Sequence, residues 1–264
     1  MTELHKEFIK KYKKDKLLVN IFQFSLLFLI ILFWELFSTF GLIDEFIFSK
    51  PSDIIKLFSQ YLASNELLTH TLVSTYEVIL GLILGTILGL LIAMLLYELP
   101  FIAKIVDPFL VVFNALPKTA LAPILIIWVG ANIKGILVVS ISISLIITII
   151  NALNAFNNIE IEKIKLFQTF GANKIQILKY LILPASSNEI LNIIRINIGM
   201  SWIGVIVGEF IVSKRGLGYL ITYGTQIFRL DIVMMGIVTL AIITILMYKT
   251  LNLIAKIFTK KRGK

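Results

Sequence analysis

Long stretches of this chain carry almost no charge, and they limit its fold more than any other feature. Residues 26–34 and 121–129 are uninterrupted apolar examples. Water cannot satisfy backbone N–H and C=O groups inside a bilayer, so apolar runs of roughly 18 residues predict membrane-spanning helices. A β-barrel would instead alternate apolar and polar residues in strands of about ten residues. The runs do not alternate, so the sequence predicts an all-α membrane protein.

Composition supports this class and excludes others. Hydrophobic residues make up 58% of the chain, against about 45–50% in soluble domains. There is no cysteine, which excludes disulfides and thiolate metal sites. His5 and His70 are the only histidines and lie far apart, so we expect no metal site. No nucleophile–base arrangement stands out, so we expect no catalysis. The positive charge is typical of membrane topology, and we expect no nucleic-acid partner.

The hydrophobic pattern predicts six spans within a single membrane domain. Proline residues Pro108, Pro117 and Pro123 interrupt the third span, and an amphipathic helix lies between the first two. We predict a basic N-terminus at 1–16, a single transmembrane domain at 17–258 and a basic tail at 259–264. The six spans are predicted at residues 17–40, 71–96, 101–128, 133–156, 189–212 and 232–258.

Lysine and arginine residues predict the orientation of these spans. With the N-terminus in the cytoplasm, the cytoplasmic segments hold 16 of them and the outer loops hold 6. Cytoplasmic loops are enriched in positive charge. The bias predicts that both termini are cytoplasmic, and the basic N-terminus predicts contact with anionic membrane lipid.

Residues 157–187 form the most informative polar stretch. Apolar residues recur at helical spacing on both sides of Gly171, which predicts two short amphipathic helices. Glycine readily takes the left-handed conformation that ends a helix, and Pro184 predicts a stop before the fifth span. The stretch therefore predicts a cytoplasmic helix–turn–helix, or alternatively a helix lying on the membrane surface.

Several motifs together resemble a known family. Gly171, then nine residues, then Leu181-Ile182-Leu183-Pro184 resembles the cytoplasmic "EAA" signature of ABC importer permeases. Other segments are similar to the nitrate/sulfonate/taurine branch of that family. These segments are Pro51-Ser52, His70 to Thr75 leading to Gly81, Asp107-Pro108, Ala115 to Pro123, Trp128-Val129-Gly130 and Gly216 to Tyr219.

The resemblance implies a type I ABC importer with a coupling helix between spans 4 and 5, in the cytoplasmic membrane of a prokaryote. It implies a second permease copy, an ATPase dimer and an extracytoplasmic solute-binding protein as partners. The chain has no GxxxxGK[ST] phosphate loop, so ATP and Mg²⁺ would be used by the ATPase and no cofactor is expected here. Implied substrates are sulfonates, taurine, nitrate or related anions, or vitamin precursors.

The coupling signature departs from the family at one point. Lys165-Leu166-Phe167 occupy the positions of Glu-Ala-Ala, which replaces an acid by a base and two small residues by larger ones. The docking surface is therefore expected to differ in charge and shape. The residues that the resemblance assigns to ATPase coupling are Lys165, Leu166, Phe167, Gly171, Ala172, Leu181, Leu183 and Pro184.

Charges inside the spans are candidates for the translocation pathway, because a charge facing lipid costs about 2.5–3.5 kcal/mol on insertion scales. Lys118 lies between Pro117 and Pro123. It either attracts an anionic substrate, or its ammonium pairs with a backbone carbonyl or extends to the membrane–water interface. Glu77 and Glu209 are interfacial residues or gate partners.

Small residues recur every fourth position in the second span, at Gly81, Gly85 and Gly89. Such a stripe lets helix backbones approach closely in lipid. It favours packing inside the chain, with a dimer interface as the alternative.

A stand-alone secondary transporter is the competing hypothesis for function. Such transporters are typically built from internal repeats with helix breaks in corresponding halves. This chain has one proline-broken span and no evident repeat, which favours the importer permease. A structural or signalling membrane protein would not need the segment at 157–187.

Overall fold

The protein is all helical over the part that the computed structural model describes, which is the backbone of residues 3–262 and the side chains of residue 5 and residues 7–256. The helices are α1 (Glu3–Thr39), α2 (Glu45–Phe48), α3 (Pro51–Ala63), α4 (Glu66–Glu98), α5 (Pro100–Ala115), α6 (Lys118–Val129), α7 (Ile133–Asn157), α8 (Ile161–Thr169), α9 (Lys174–Ile177), a π-helical turn (Leu178–Ile182), α10 (Leu183–Ala185), α11 (Ser187–Val212), α12 (Leu217–Gln226) and α13 (Leu230–Arg262).

Five of these helices are long and apolar enough to cross a membrane: α1, α4, α7, α11 and α13. Helices α5 and α6 pass the same test only as a pair, bent by 99° at their junction. Counting the pair as one broken span gives the six predicted spans. The proline interruption predicted in the third span corresponds to this bend.

Helices α4 and α7 pack closely and run in parallel. Gly81, Gly85 and Gly89 face Ser140, Ser144 and Thr148 in matching order, and a Cβ at any of these glycines would collide with the opposite side chain. The glycine stripe of α4 thus packs against α7 of the same chain. Because α4 and α7 run the same way, the bent pair between them must return the chain across the bundle.

Helix α11 packs antiparallel on another face of α7. Gly204 lies against the backbone of Ser140, and a Cβ placed on Gly208 would lie only 3.0 Å from the Cα of Ile136. Glycines on two neighbours thus allow α7 to be approached from both sides. Helix α7 is the central helix of the bundle.

The end of the bundle that carries α12 has its own apolar core. Leu217 and Leu220 of α12 are buried with Val78 of α4, Val205 of α11 and Met235 of α13. Helix α3 adds Ile54 and Leu57 to the same cluster. The predicted amphipathic helix therefore exists, and its apolar face packs on protein.

Helix α1 is attached to the rest of the chain near its C-terminal end. Trp34 donates its indole N–H to the Ser49 carbonyl at 3.1 Å, and Glu35 accepts from both the N–H and the hydroxyl of Ser52. Earlier side chains of α1, such as Phe22 and Phe24, are exposed. Helix α1 is continuous from Glu3 and includes most of the basic segment predicted at 1–16.

The last helix, α13, continues to Arg262 and includes most of the basic tail predicted at 259–264. Residues 1–2 and 263–264, which also carry parts of the predicted terminal segments, lie outside the described residues.

Candidate functional site

The segment at 157–187 turns at a glycine after α8. Gly171 has a backbone φ of +78°, a region that residues with a Cβ avoid. Its N–H donates to the Gln168 carbonyl at 2.9 Å, and the N–H of Ala172 donates to the Phe167 carbonyl at 3.1 Å. These bonds form a Schellman motif that satisfies the last carbonyls of α8. The turn is therefore fixed by the chain's own hydrogen bonds.

The second half of the segment starts with a capping box. The Asn173 side chain accepts from the N–H of Gln176 at 2.9 Å, and the Gln176 side chain accepts from the N–H of Asn173 at 2.8 Å. Further on, the N–H of Leu183 donates to the Leu178 carbonyl five residues back. Pro184 has no N–H and its ring crowds the preceding turn. The helix widens here and continues through α10, where the sequence predicted a stop.

The segment is braced against the ends of two spanning helices. Ile177 and Ile182 are buried in one cluster with Ala152 and Phe156 of α7. The Phe156 ring also meets the Tyr97 ring of α4 edge-on, with centroids 6.0 Å apart. These contacts join the segment to the ends of α4 and α7.

The opposite face of the segment has no partner among the residues that the structure describes. Leu166, Phe170 and Ile175 are 53%, 80% and 71% exposed. We call these three residues the apolar tip. Large apolar side chains grouped on a surface commonly mark an interaction site.

The predicted coupling residues divide between the two faces of the segment. The half-buried residues are Phe167, Ala172, Leu181 and Leu183, and the exposed residues are Lys165, Leu166, Gly171 and Pro184.

Lys118 lies at the break between α5 and α6. Its ammonium donates to the Asn114 carbonyl at 3.1 Å, in the last turn of α5, where carbonyls lack helical partners. Pairing with a backbone carbonyl was one of the alternatives that the sequence left open for Lys118. Pro117 and Pro123 are exposed on the same bent pair.

Glu77 and Glu209 are brought together inside the bundle. Their exposed fractions are 3% and 1%. Glu209 accepts from the hydroxyl of Ser74, one helical turn before Glu77, and from the N–H of Gly218, each at 2.5 Å. In this structure both acids join α4, α11 and α12 and neither faces an open channel.

Comparison with known proteins identifies the family. The model of the binding-protein-dependent transport system inner membrane component matches residues 85–264. The chain belongs to this family.

Individual relatives agree with the family match. The chain is 32% identical to the riboflavin transport system permease protein of Chloroflexus aurantiacus, over 89% of this chain and 87% of the relative. It is 26% identical to the taurine transport system permease protein of Escherichia coli, over 87% and 86%. It is also 29% identical to a putative aliphatic sulfonates transport permease protein of Bacillus subtilis, over 81% and 78%.

The predicted family and general function are thereby confirmed. The protein is the membrane-spanning permease subunit of an importer, a transport protein and not an enzyme. The comparisons give no support to a stand-alone secondary transporter.

Residues 213–231 of the permease include α12, whose residues Leu217, Gly218, Leu220 and Gly224 are buried. Apolar residues between glycines thus form a packed helix that covers the ends of α4 and α11.

Sequence reasoning missed the polar residues that join helices inside the permease. Asn197 of α11 donates to Thr86 of α4 at 2.8 Å and to Thr148 of α7 at 2.7 Å. His70 accepts from the N–H of Gly216 at 2.9 Å. The available signal was an amide within an apolar span, since such groups usually face the bundle interior. Their partners are distant in sequence, so the pairing itself was not visible.

Proposed function

We propose that the permease couples to a separate ATPase through the apolar tip of segment 157–187. The observation that carries this proposal is an exposed apolar tip on a segment braced against α4 and α7. A rigid element with one free apolar face is suited to dock in a groove and to transmit movement. ATP and Mg²⁺ are then used by the ATPase subunit.

Transmission runs through the packed face of the same segment. Phe167 and Ala172 close the Gly171 turn and pack against the cluster that holds Phe156 of α7. Movement of the docked tip tilts the ends of α4 and α7 together. That tilt alternates the access of the pathway from one side of the membrane to the other.

The orientation that fits this role places segment 157–187 in the cytoplasm, with both termini on the same side. The bias of 16 to 6 in lysine and arginine supports it. The location proposed is the cytoplasmic membrane of a prokaryote. An extracytoplasmic solute-binding protein then meets the end of the bundle that carries α12.

A second permease copy is proposed as the partner of the bent pair. Phe109, Val112, Ile127 and Trp128 of α5 and α6 are exposed beside the helix break. A broken helix in lipid is tolerated where it is buried in protein or lines a cavity. A homodimer, or a heterodimer with a related permease, supplies that cover and places the pathway between the copies.

The proposed cargo is a small solute of the kind named for the relatives: a sulfonate, taurine, nitrate or a related anion, or a vitamin precursor. Lys118 supports an anionic cargo, because it places a cation at the break. Pro117 and Pro123 are proposed to line the pathway with it. Glu77 and Glu209 are proposed as gate partners that keep the end with α12 closed.

Loss of one exposed ring tests the coupling proposal. Phe170→Ser removes a ring that is 80% exposed at the apolar tip, and Phe40→Ser removes one that is 73% exposed after α1. The tagged permease is purified in detergent with its ATPase. We expect the ATPase to be lost with Phe170→Ser and retained with Phe40→Ser.

The other outcomes are equally informative. Retention of the ATPase with both variants places docking elsewhere. Absence of any ATPase from the folded wild-type permease contradicts the coupling proposal as a whole.

A further inference from the structure

Two acidic side chains share a dry site near one end of the bundle. Glu77 of α4 and Glu209 of α11 are almost fully buried, and Ser74, one helical turn before Glu77, donates its hydroxyl to Glu209 at 2.5 Å. We call them the carboxyl pair. Like charges in contact inside a poorly solvated site cannot both be ionised at ordinary pH.

The donors around the pair all serve Glu209. The Ser74 hydroxyl donates to Oε1 and the N–H of Gly218 donates to Oε2. Ser74 has only one proton to give, and its oxygen accepts from the N–H of Leu217 at 2.7 Å. The surroundings of Glu209 are therefore built for an ionised carboxylate.

Glu77 has the opposite surroundings. Its Oε2 is buried and has no hydrogen-bond donor among the described residues. Within the same part of the chain, no lysine or arginine forms an ion pair with Glu77. A proton on Glu77 turns its carboxyl into a donor toward Glu209 and removes the unpaired charge.

Cations on the surrounding elements are engaged elsewhere or lie away from the pair. Arg229, before α13, binds Asp231 of α13 at 2.6 Å. Lys134 is exposed in the first turn of α7. Lys214 and Arg215, in the loop before α12, are exposed.

Other titratable groups lie on the helices that surround the pair. His70 of α4 accepts from the N–H of Gly216 through Nδ1 and stacks on Tyr219, with ring centroids 5.7 Å apart. Tyr219 stacks in turn on Tyr223 at 6.0 Å. Glu66 of α4 is exposed. Among the described residues, no lysine or arginine forms an ion pair with either member of the carboxyl pair.

We infer that the Glu77–Glu209 carboxyl pair is a proton-binding site, and that the bound proton holds α12 closed against α4 and α11. The proton lies on Glu77 and is donated to Glu209, which stays anchored to Ser74 and Gly218. A Cβ at Gly216 or Gly218 would collide with Glu209, so the start of α12 fits directly over the pair.

The sign of the pH effect follows from this arrangement. The closed state binds one proton more than a state in which both carboxyl groups reach water. Its stability is therefore full at low pH and falls as pH rises through the value at which the pair releases its proton. Loss of the proton places a second negative charge under α12 and favours its separation.

Infrared spectroscopy of the full-length permease in lipid tests the inference directly. We expect a C=O stretching band of a protonated carboxyl group at neutral pH in the wild type, and its disappearance at high pH. The band is lost in Glu77→Gln and kept in Glu66→Gln, an exposed acid on the same helix. Glu77→Gln also abolishes the fall of thermal stability at high pH, because the amide keeps a donor and cannot ionise.

Measurements on Glu209→Gln and on the wild-type permease can each contradict the proton site. Glu209→Gln removes an acceptor that Ser74 or Gly218 needs, so it lowers thermal stability at every pH. Equal effects of Glu77→Gln and Glu209→Gln overturn the assignment of the proton to Glu77. A wild-type permease without the band at neutral pH, or one whose stability follows sodium concentration and not pH, overturns the proton site even where the variants do not fold.

Discussion

Asn197 of α11 and Thr148 of α7 are joined by a 2.7 Å hydrogen bond between buried side chains. The same amide donates its second N–H to Thr86 of α4 at 2.8 Å. Thr148 is oriented in turn by its own bond to the Ser144 carbonyl. Three spanning helices thus meet at one amide group.

Removal of this amide is expected to loosen the bundle. Asn197→Ala deletes two interhelical hydrogen bonds, each worth about 0.6 kcal/mol on average in membrane proteins, and leaves a cavity. We expect unfolding in mixed detergent to become easier by about 2 kcal/mol. Asn188→Ala, on an exposed position of α11, is expected to change it by less than about 0.5 kcal/mol. Equal effects would contradict a central role for Asn197.

Two glycines of α11 are expected to respond in opposite ways to the same substitution. A Cβ at Gly204 would collide with the Ser140 backbone, whereas nothing lies within 4 Å of a Cβ at Gly199. Backbone cannot move aside as a side chain can, so Gly204→Ala should destabilise by about 1–3 kcal/mol. Gly199→Ala should be neutral or stabilising because alanine favours helix.

Thermal unfolding of the two variants in detergent measures this difference. A Gly204→Ala variant as stable as wild type would show that α7 and α11 do not approach as closely as the structure has them.

The Gly171 turn has a matched control at the end of α1. Gly41 has a φ of +70° and makes the same pair of bonds, from its own N–H to Ser38 and from the N–H of Leu42 to Phe37. Alanine in this conformation costs roughly 1–2 kcal/mol wherever it is placed. Only Gly171→Ala should lower ATP-driven uptake and ATPase co-purification.

Measurement of uptake in reconstituted vesicles separates coupling from general strain. An equal loss of uptake in Gly41→Ala would assign the effect to strain alone.

The proposed orientation can be tested with single introduced cysteines, because the chain has no native cysteine that would have to be removed first. Lys134 at the start of α7 and Lys165 on α8 are both exposed. A membrane-impermeant maleimide added to intact cells should label Lys134→Cys and should reach Lys165→Cys only after permeabilisation. The reverse pattern would contradict the orientation drawn from lysine and arginine counts.

The spanning helices could be predicted from sequence because their signal is local. Twenty or so apolar residues must form a helix in lipid, whatever surrounds them. The predicted fourth span at 133–156 and fifth span at 189–212 agree closely with α7 and α11. The turn at Gly171 is equally local, since glycine favours the left-handed φ observed there.

Motifs in the sequence also determined the family, which the comparisons confirmed. They did so without revealing which residues touch. The segment at 157–187 was readable as two helices around Gly171, whereas its widened turn before Pro184 depends on how that proline meets the preceding carbonyls.

Tertiary structure decided the contacts between residues that are distant in sequence. Glu77 and Glu209 looked like separate charges near the ends of two spans, and packing of α4 against α11 joined them in one buried pair. Pairing across a bundle depends on which helix faces meet, so the sequence alone determined the spanning helices and the Gly171 turn, and the packing of α4, α11 and α12 determined the site.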